Sequence, residues 1–206
     1  SPGDATWTGK NLIHCSGAPG SSGHATSIAR TFFGNSGMGK DITDILAYNA
    51  GSWLGYSYVD PGSDPPLAGY EHEGTMYYPR VSNHSWIGGS SVERLARIDW
   101  LAENDDHLAV GGMNNAGSVN GTPETSHDVM MGTYNGIAVG VTNGEHSYGT
   151  AATGDLYTGG RIRPHVVAPS GFTSGSTPMV ASMATLLIET GHTQTGLSNG
   201  SYLSPR

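Results

Sequence analysis

Cysteine is nearly missing. Cys15 is the single one among 206 residues, so no disulfide can form within the chain and bridges say nothing about its redox compartment. Charge is sparse: only 13% of residues are charged, and the 9 Lys and Arg form no basic run. With a net charge of -8, that argues against nucleic acid or an anionic membrane as partner. A long apolar run is lacking too. The longest, around 179–188, is shorter than a membrane span and carries Ser and Thr. No start Met or signal peptide stands at Ser1, so a processed piece with further segments outside it is expected.

What the chain does have is glycine, 32 of them, with 36% hydrophobic residues, the composition of a folded protein rich in tight turns. The length suits a single domain over 1–206 with a sizeable core. The stretch from Arg163 to Glu189 reads as a short strand, a Gly/Ser turn and a helix. Ser174 falls in the turn, Pro178 suits a first helical turn, and Met179 to Ile188 gives about three turns that end before Gly191. A hydroxyl at a helix N-terminus lies beside free N–H groups and the positive dipole end, which can stabilise an oxyanion. The same Ser/Thr cluster also has a plain reading as a helix cap.

Other segments share this strand-exit placement. Asn11–His14 is a buried strand leading into the turn 16–23. His24 opens an amphipathic stretch with Ile28, Ala29, Phe32 and Phe33 at helical spacing, where it is either a general base or a capping or surface His. Ile45–Tyr48 and Val81–Ser85 read as strands, and Ser91–Glu103 as a helix with Val92, Leu95, Ile98 and Leu101 near one face. Leu108–Val110 is a strand delivering Gly111, Gly112, Met113 and Asn114, and Asn135–Thr142 is another, ending at the turn pair Asn143-Gly144. Between them, 118–131 is a polar loop. The Pro-, Gly- and Tyr-containing segment 49–80 is irregular. Its Glu71-His72-Glu73 lacks further spaced ligands and reads as a solvated loop, not a metal site.

Taken in order, these pieces resemble the subtilisin-like serine peptidases (subtilases). Phe172-Thr-Ser174-Gly-Ser-Thr-Pro178 is similar to the family's Gly-Thr-Ser-x-Ala-x-Pro nucleophile motif, and Arg163-Pro-His-Val-Val-Ala-Pro169 to the strand that approaches it. Gly23-His24-Ala-Thr-Ser-Ile-Ala29 resembles the His-Gly-Thr-x-Val-Ala helix start, and Val81 to Gly89 the substrate strand. Val110-Gly-Gly-Met-Asn114 resembles the oxyanion motif, and Tyr134 to Gly140 the strand after it. The matches cover most of the chain in the family's order.

The resemblance implies Ser174 as nucleophile, His24 as base and Asn114 as oxyanion donor, with Asn115 the alternative. It implies a peptide docked along Ser85, Trp86, Gly88 and Gly112, although Trp86 is equally a core-packing residue. Where the family has a catalytic Asp, this chain has His14, or alternatively Cys15; His14 also reads as a strand-end His satisfied by backbone. Asp4 is the only acid upstream of His24. A neutral His brings no negative charge to the imidazolium, and in subtilisin loss of that Asp costs about 3 × 10⁴ in kcat.

Strands alternating with helices predict an α/β fold, a three-layer subtilase-like domain with a mostly parallel central sheet and its site at the carboxyl ends of the strands. The expected function is a serine endopeptidase acting on peptide or protein substrates. A catalytically impaired homologue that binds peptides is the alternative, and a non-catalytic α/β domain in which Ser174 is merely a cap is the third reading. No metal or cofactor is required by this chemistry, structural calcium and oligomeric state are left open, and the family implies a secreted or extracytoplasmic protein.

Overall fold

The computed structural model describes residues 5–17, 20–57, 59, 69–89, 91–115, 123–124, 132–150 and 162–198. Asp4, the polar loop 118–131 apart from Pro123 and Glu124, and residues 58 and 60–68 of the irregular segment 49–80 lie outside them.

Strand β1 (Asn11–His14) pairs in parallel with β2 (Asp44–Ala47). Between them in sequence runs helix α1 (Gly23–Phe32), begun by Ser22, whose Oγ accepts the Ala25 N–H at 3.2 Å. Such a cap contributes about 1 kcal/mol. The short α2 (Ala50–Ser52) passes into a π-helical turn, Trp53–Ser57, and a hairpin follows, β3 (Tyr70–His72) with β4 (Thr75–Tyr77). The hairpin carries Glu71-His72-Glu73. Glu71 accepts the Gly74 N–H at 2.7 Å, closing the turn, and no metal-ligating cluster forms among the described residues.

Strand β5 (Val81–His84), helix α3 (Val92–Asn104) and strand β6 (Leu108–Gly112) make a βαβ unit. Ser91 caps α3 on the Arg94 N–H at 3.2 Å. Next come β7 (Pro123–Glu124), β8 (Ile137–Val141), β9 (Tyr148–Thr150), β10 (Ile162–Arg163) and β11 (Val166–Ala168). The chain then enters the long helix α4 (Thr173–Thr193) and the short α5 (Thr195–Ser198). The central sheet runs β11-β8-β6-β5 and all its pairings are parallel. β7, β9 and β10 form a small separate sheet.

Alternation along β6 sends successive side chains to opposite faces. Ala109 packs with Leu95, Ile98 and Leu101 of α3 and with Trp53, Leu54 and Val59. Val110 packs with Val139 and with Ala181 of α4, and Phe32 of α1 lies against them. Helices therefore cover both faces, the expected three layers around a parallel sheet. Among the described residues no helix is long and apolar enough to cross a membrane.

The long helix departs from its sequence expectation. It begins at Thr173, not around Met179, and extends to Thr193. Ser176 and Thr177 satisfy their hydroxyls on the Thr173 carbonyl, at 2.9 and 2.7 Å, so polar residues that read as a turn are absorbed into the first turns. Pro178 is the sixth helical residue, and its missing N–H removes the helical partner of the Ser174 carbonyl.

Candidate active site

The carboxyl ends of β5 and β6 and the N-termini of α1 and α4 surround a cleft of about 180 Å³. The exit of β5 contributes Ser85, Trp86 and Ile87, and the exit of β6 contributes Gly112, Met113, Asn114 and Asn115. Helix α1 contributes His24, and α4 contributes Thr173 and Ser174. Parallel strands whose connections return on the far side leave such a crevice at their carboxyl edge.

Ser174 is the second residue of α4, with 8% of its surface exposed. Its N–H belongs to the first turn, where the helix itself offers no acceptor. Phe172, in extended conformation, is the N-cap and makes no side-chain capping bond. Asn115 takes that place from another element: its Oδ1 lies 2.7 Å from the Thr173 N–H and 2.7 Å from the Thr173 hydroxyl. The same hydroxyl reaches the Met113 carbonyl at 2.6 Å. With its oxygen held this way, the Asn115 amide directs its NH2 group away from Thr173. Thr173 thus ties the β6 exit to the first turn of α4, next to Ser174.

Gly112 makes this approach possible. A Cβ there would meet Thr177 Oγ1 at 2.8 Å, so any larger residue would push α4 away from the sheet.

His24 lies in the first turn of α1, and its Nε2 is 3.2 Å from the Ser85 carbonyl. A carbonyl only accepts, so Nε2 carries the proton in this contact and the lone pair of the neutral ring is on Nδ1. Among the described residues no carboxylate lines the cleft. His14 ends β1 half-buried and is not among the lining residues; neither is Cys15, whose thiol pKa is pushed up by burial.

Behind the β5 wall lies a buried polar chain. His107 donates from Nδ1 to the Pro79 carbonyl at 3.0 Å, which leaves its Nε2 to accept the Ser82 hydroxyl at 2.8 Å. Ser82 in turn accepts from His84 Nε2 at 2.7 Å. The His84 ring packs against Trp53 at 4.4 Å and Trp86 at 5.5 Å between centroids, so the chain backs the Trp86 wall. Burial, with the neighbouring His107 ring adding to the cost of charging it, lowers His84 to about 3. Burial likewise lowers His107 to about 4.

Of the residues expected from sequence, the fold brings His24, Ser85, Trp86, Gly112, Asn114 and Ser174 to one cleft. Gly88, with φ +104, lies just beyond it. Ile87, Met113 and Thr173 were not singled out. Thr173 had a signal in its place before Ser174; Met113 had none, since its role as a buried wall depends on the packing of α4 against β6.

No family model matches the sequence, and no curated protein does. Solved structures do match. The prenylagaramide maturation protease PagA superposes with a TM-score of 0.59 at 20% identity, over 98% of this chain and 75% of that one. The patellamide maturation protease PatA gives a TM-score of 0.58 at 16% identity, over 98% and 78%. The self-cleaved protease domain of PatA gives 0.57 at 18% identity, over 97% and 78%. At these identities the likeness speaks for architecture: the chain has a subtilisin-like α/β fold.

Proposed function

We propose that this protein is a serine peptidase that hydrolyses peptide bonds at the cleft between the β5 and β6 exits. The observation that carries the reading is that His24 and Ser174, 150 positions apart in sequence, line one cleft with an amide anchored beside the nucleophile. In the reaction, Ser174 Oγ bonds to the substrate carbonyl carbon and its proton passes to His24. Collapse breaks the C–N bond, with that proton delivered to the leaving amine, and water hydrolyses the acyl-enzyme by the same route. The Ser174 N–H and the Asn115 NH2 donate to the oxyanion. The tether of Asn115 on Thr173 favours it over Asn114 as the side-chain donor.

The extended segment from Ser85 offers the docking peptide its backbone. A peptide N–H that takes the Ser85 carbonyl displaces His24 Nε2 from it and frees the ring to turn to Ser174. That no carboxylate lines the cleft among the described residues favours a second reading, a slow or impaired peptidase that chiefly binds extended peptides.

Labelling with a fluorophosphonate probe tests both. The peptidase reading expects labelling of the protein and its loss in Ser174→Ala and His24→Ala. Absence of labelling in every version leaves the peptide-binding reading.

A further inference from the structure

The β6 exit that carries Asn115 leaves the sheet before it reaches the site. Val110, Gly111 and Gly112 are in register with Ile137, Ala138 and Val139 of β8, and the Met113 N–H still reaches the Val139 carbonyl at 2.9 Å. Past Met113 the chain is held by a different segment. Ser147 Oγ accepts the Asn114 N–H at 3.1 Å, and the Ser147 N–H donates to the Asn114 carbonyl at 2.9 Å. Asn115 and His146 form an antiparallel bridge beside this pair.

Ser147 is itself fixed. Only 5% of its surface is exposed, and its carbonyl accepts from His146 Nδ1 at 2.8 Å. The His146 ring fills the space over Gly140, where a Cβ would meet it at 2.8 Å. A short piece of chain after β8 thus grips both backbone groups of Asn114, using a hydroxyl where a strand would present a carbonyl.

We propose that Ser147 is a positioning residue for peptide hydrolysis, holding the chain extended from Met113 into Asn115 so that the Asn115 amide is aimed at the oxyanion. The inference rests on the peptidase reading and on Asn115 as donor. Without the hydroxyl, the Asn114 N–H is released, the exit of β6 can rotate, and the amide loses its aim while the Ser85 side of the cleft is untouched. The effect therefore belongs to kcat and not to KM.

The test is a double-mutant cycle between positions 147 and 115, read by peptide hydrolysis and by fluorophosphonate labelling rate. Ser147→Ala is expected to lower kcat about tenfold with KM within about twofold of the starting protein, and Ser147→Thr, which keeps the hydroxyl, to recover most of the rate. In an Asn115→Ala background, Ser147→Ala is expected to add no further loss, because the group it positions is gone. The same tenfold loss in both backgrounds, or a raised KM at unchanged kcat, overturns the proposal while the peptidase reading stands. If Ser147→Ala does not fold, Ser147→Cys, of similar shape and a weak acceptor, takes its place in the cycle. A protein that is neither labelled nor active overturns the peptidase reading, and this inference with it.

Discussion

Asn114 and Asn115 are chemically identical neighbours on the wall of one cleft, yet their surroundings give them different work. Asn114 is gripped through its backbone by Ser147, whereas the Asn115 side chain is docked on Thr173, next to Ser174. Asn115→Ala is therefore expected to lower kcat by about 10² to 10³, the usual cost of losing an oxyanion donor. Asn114→Ala keeps its backbone bonds and is expected to change kcat far less. Steady-state hydrolysis of one peptide by both variants decides between them, and a larger loss at Asn114 would reverse the assignment. Asn-Asn in sequence left this choice open because either amide follows a strand of the right kind; only the position of Thr173 separates them.

At the scale of elements, α3 is the piece that the sequence described best. Its apolar positions are local signals, and the helix spans Val92–Asn104, one residue on from the Ser91–Glu103 read from that pattern, because Ser91 serves as its N-cap. What the pattern did not contain is the second role of its polar face. Asp99 accepts the N–H groups of Tyr134 and Asn135, at 3.1 and 2.7 Å, and so fixes the turn that feeds β8 into the sheet. Asp99→Ala removes the acceptor of both and is expected to cost about 1–3 kcal/mol, seen as a lower urea midpoint at unchanged slope. Helix α4 shows the opposite balance. Its Ser, Gly and Thr start reads as turn, and it becomes helix because Thr173 is anchored by Asn115 and Met113, contacts 58 and 60 residues away.

At the scale of the whole molecule, the two buried histidines behind the β5 wall give stability a direction in pH. Both rings stay neutral in the fold down to about 4 for His107 and about 3 for His84. In the unfolded chain each takes its proton near pH 6.5. Above that pH the two states bind alike and the histidines contribute nothing. As pH falls below it the unfolded state binds more protons, so stability drops, by up to about 1.4 kcal/mol per pH unit for each ring, until the folded values are reached. Thermal unfolding followed from pH 7 to pH 4.5 is expected to show a falling Tm, and His107→Gln, which keeps an amide donor but cannot titrate, to flatten that fall. A Tm independent of pH over this range in the starting protein would mean that the rings are not buried neutral. Arg80, with Asp106 at 3.6 Å and Asp105 nearby, supplies the charged surroundings of His107, and the Arg80 charge further disfavours the imidazolium.

The sequence by itself determined the strand exits, the entries of α1 and α3, the α/β alternation, and the order in which Ser85, Asn114 and Ser174 follow His24, because periodicity, capping residues and glycine turns act over a few residues. The tertiary structure alone decided that these exits converge on one cleft, that Asn115 is tied to α4 through Thr173, and that Ser147 holds the β6 exit at Asn114. Those outcomes depend on contacts between residues more than thirty positions apart, which local pattern does not encode. It also decided that His14 and Cys15, which both fit the strand end in sequence, do not reach the cleft wall.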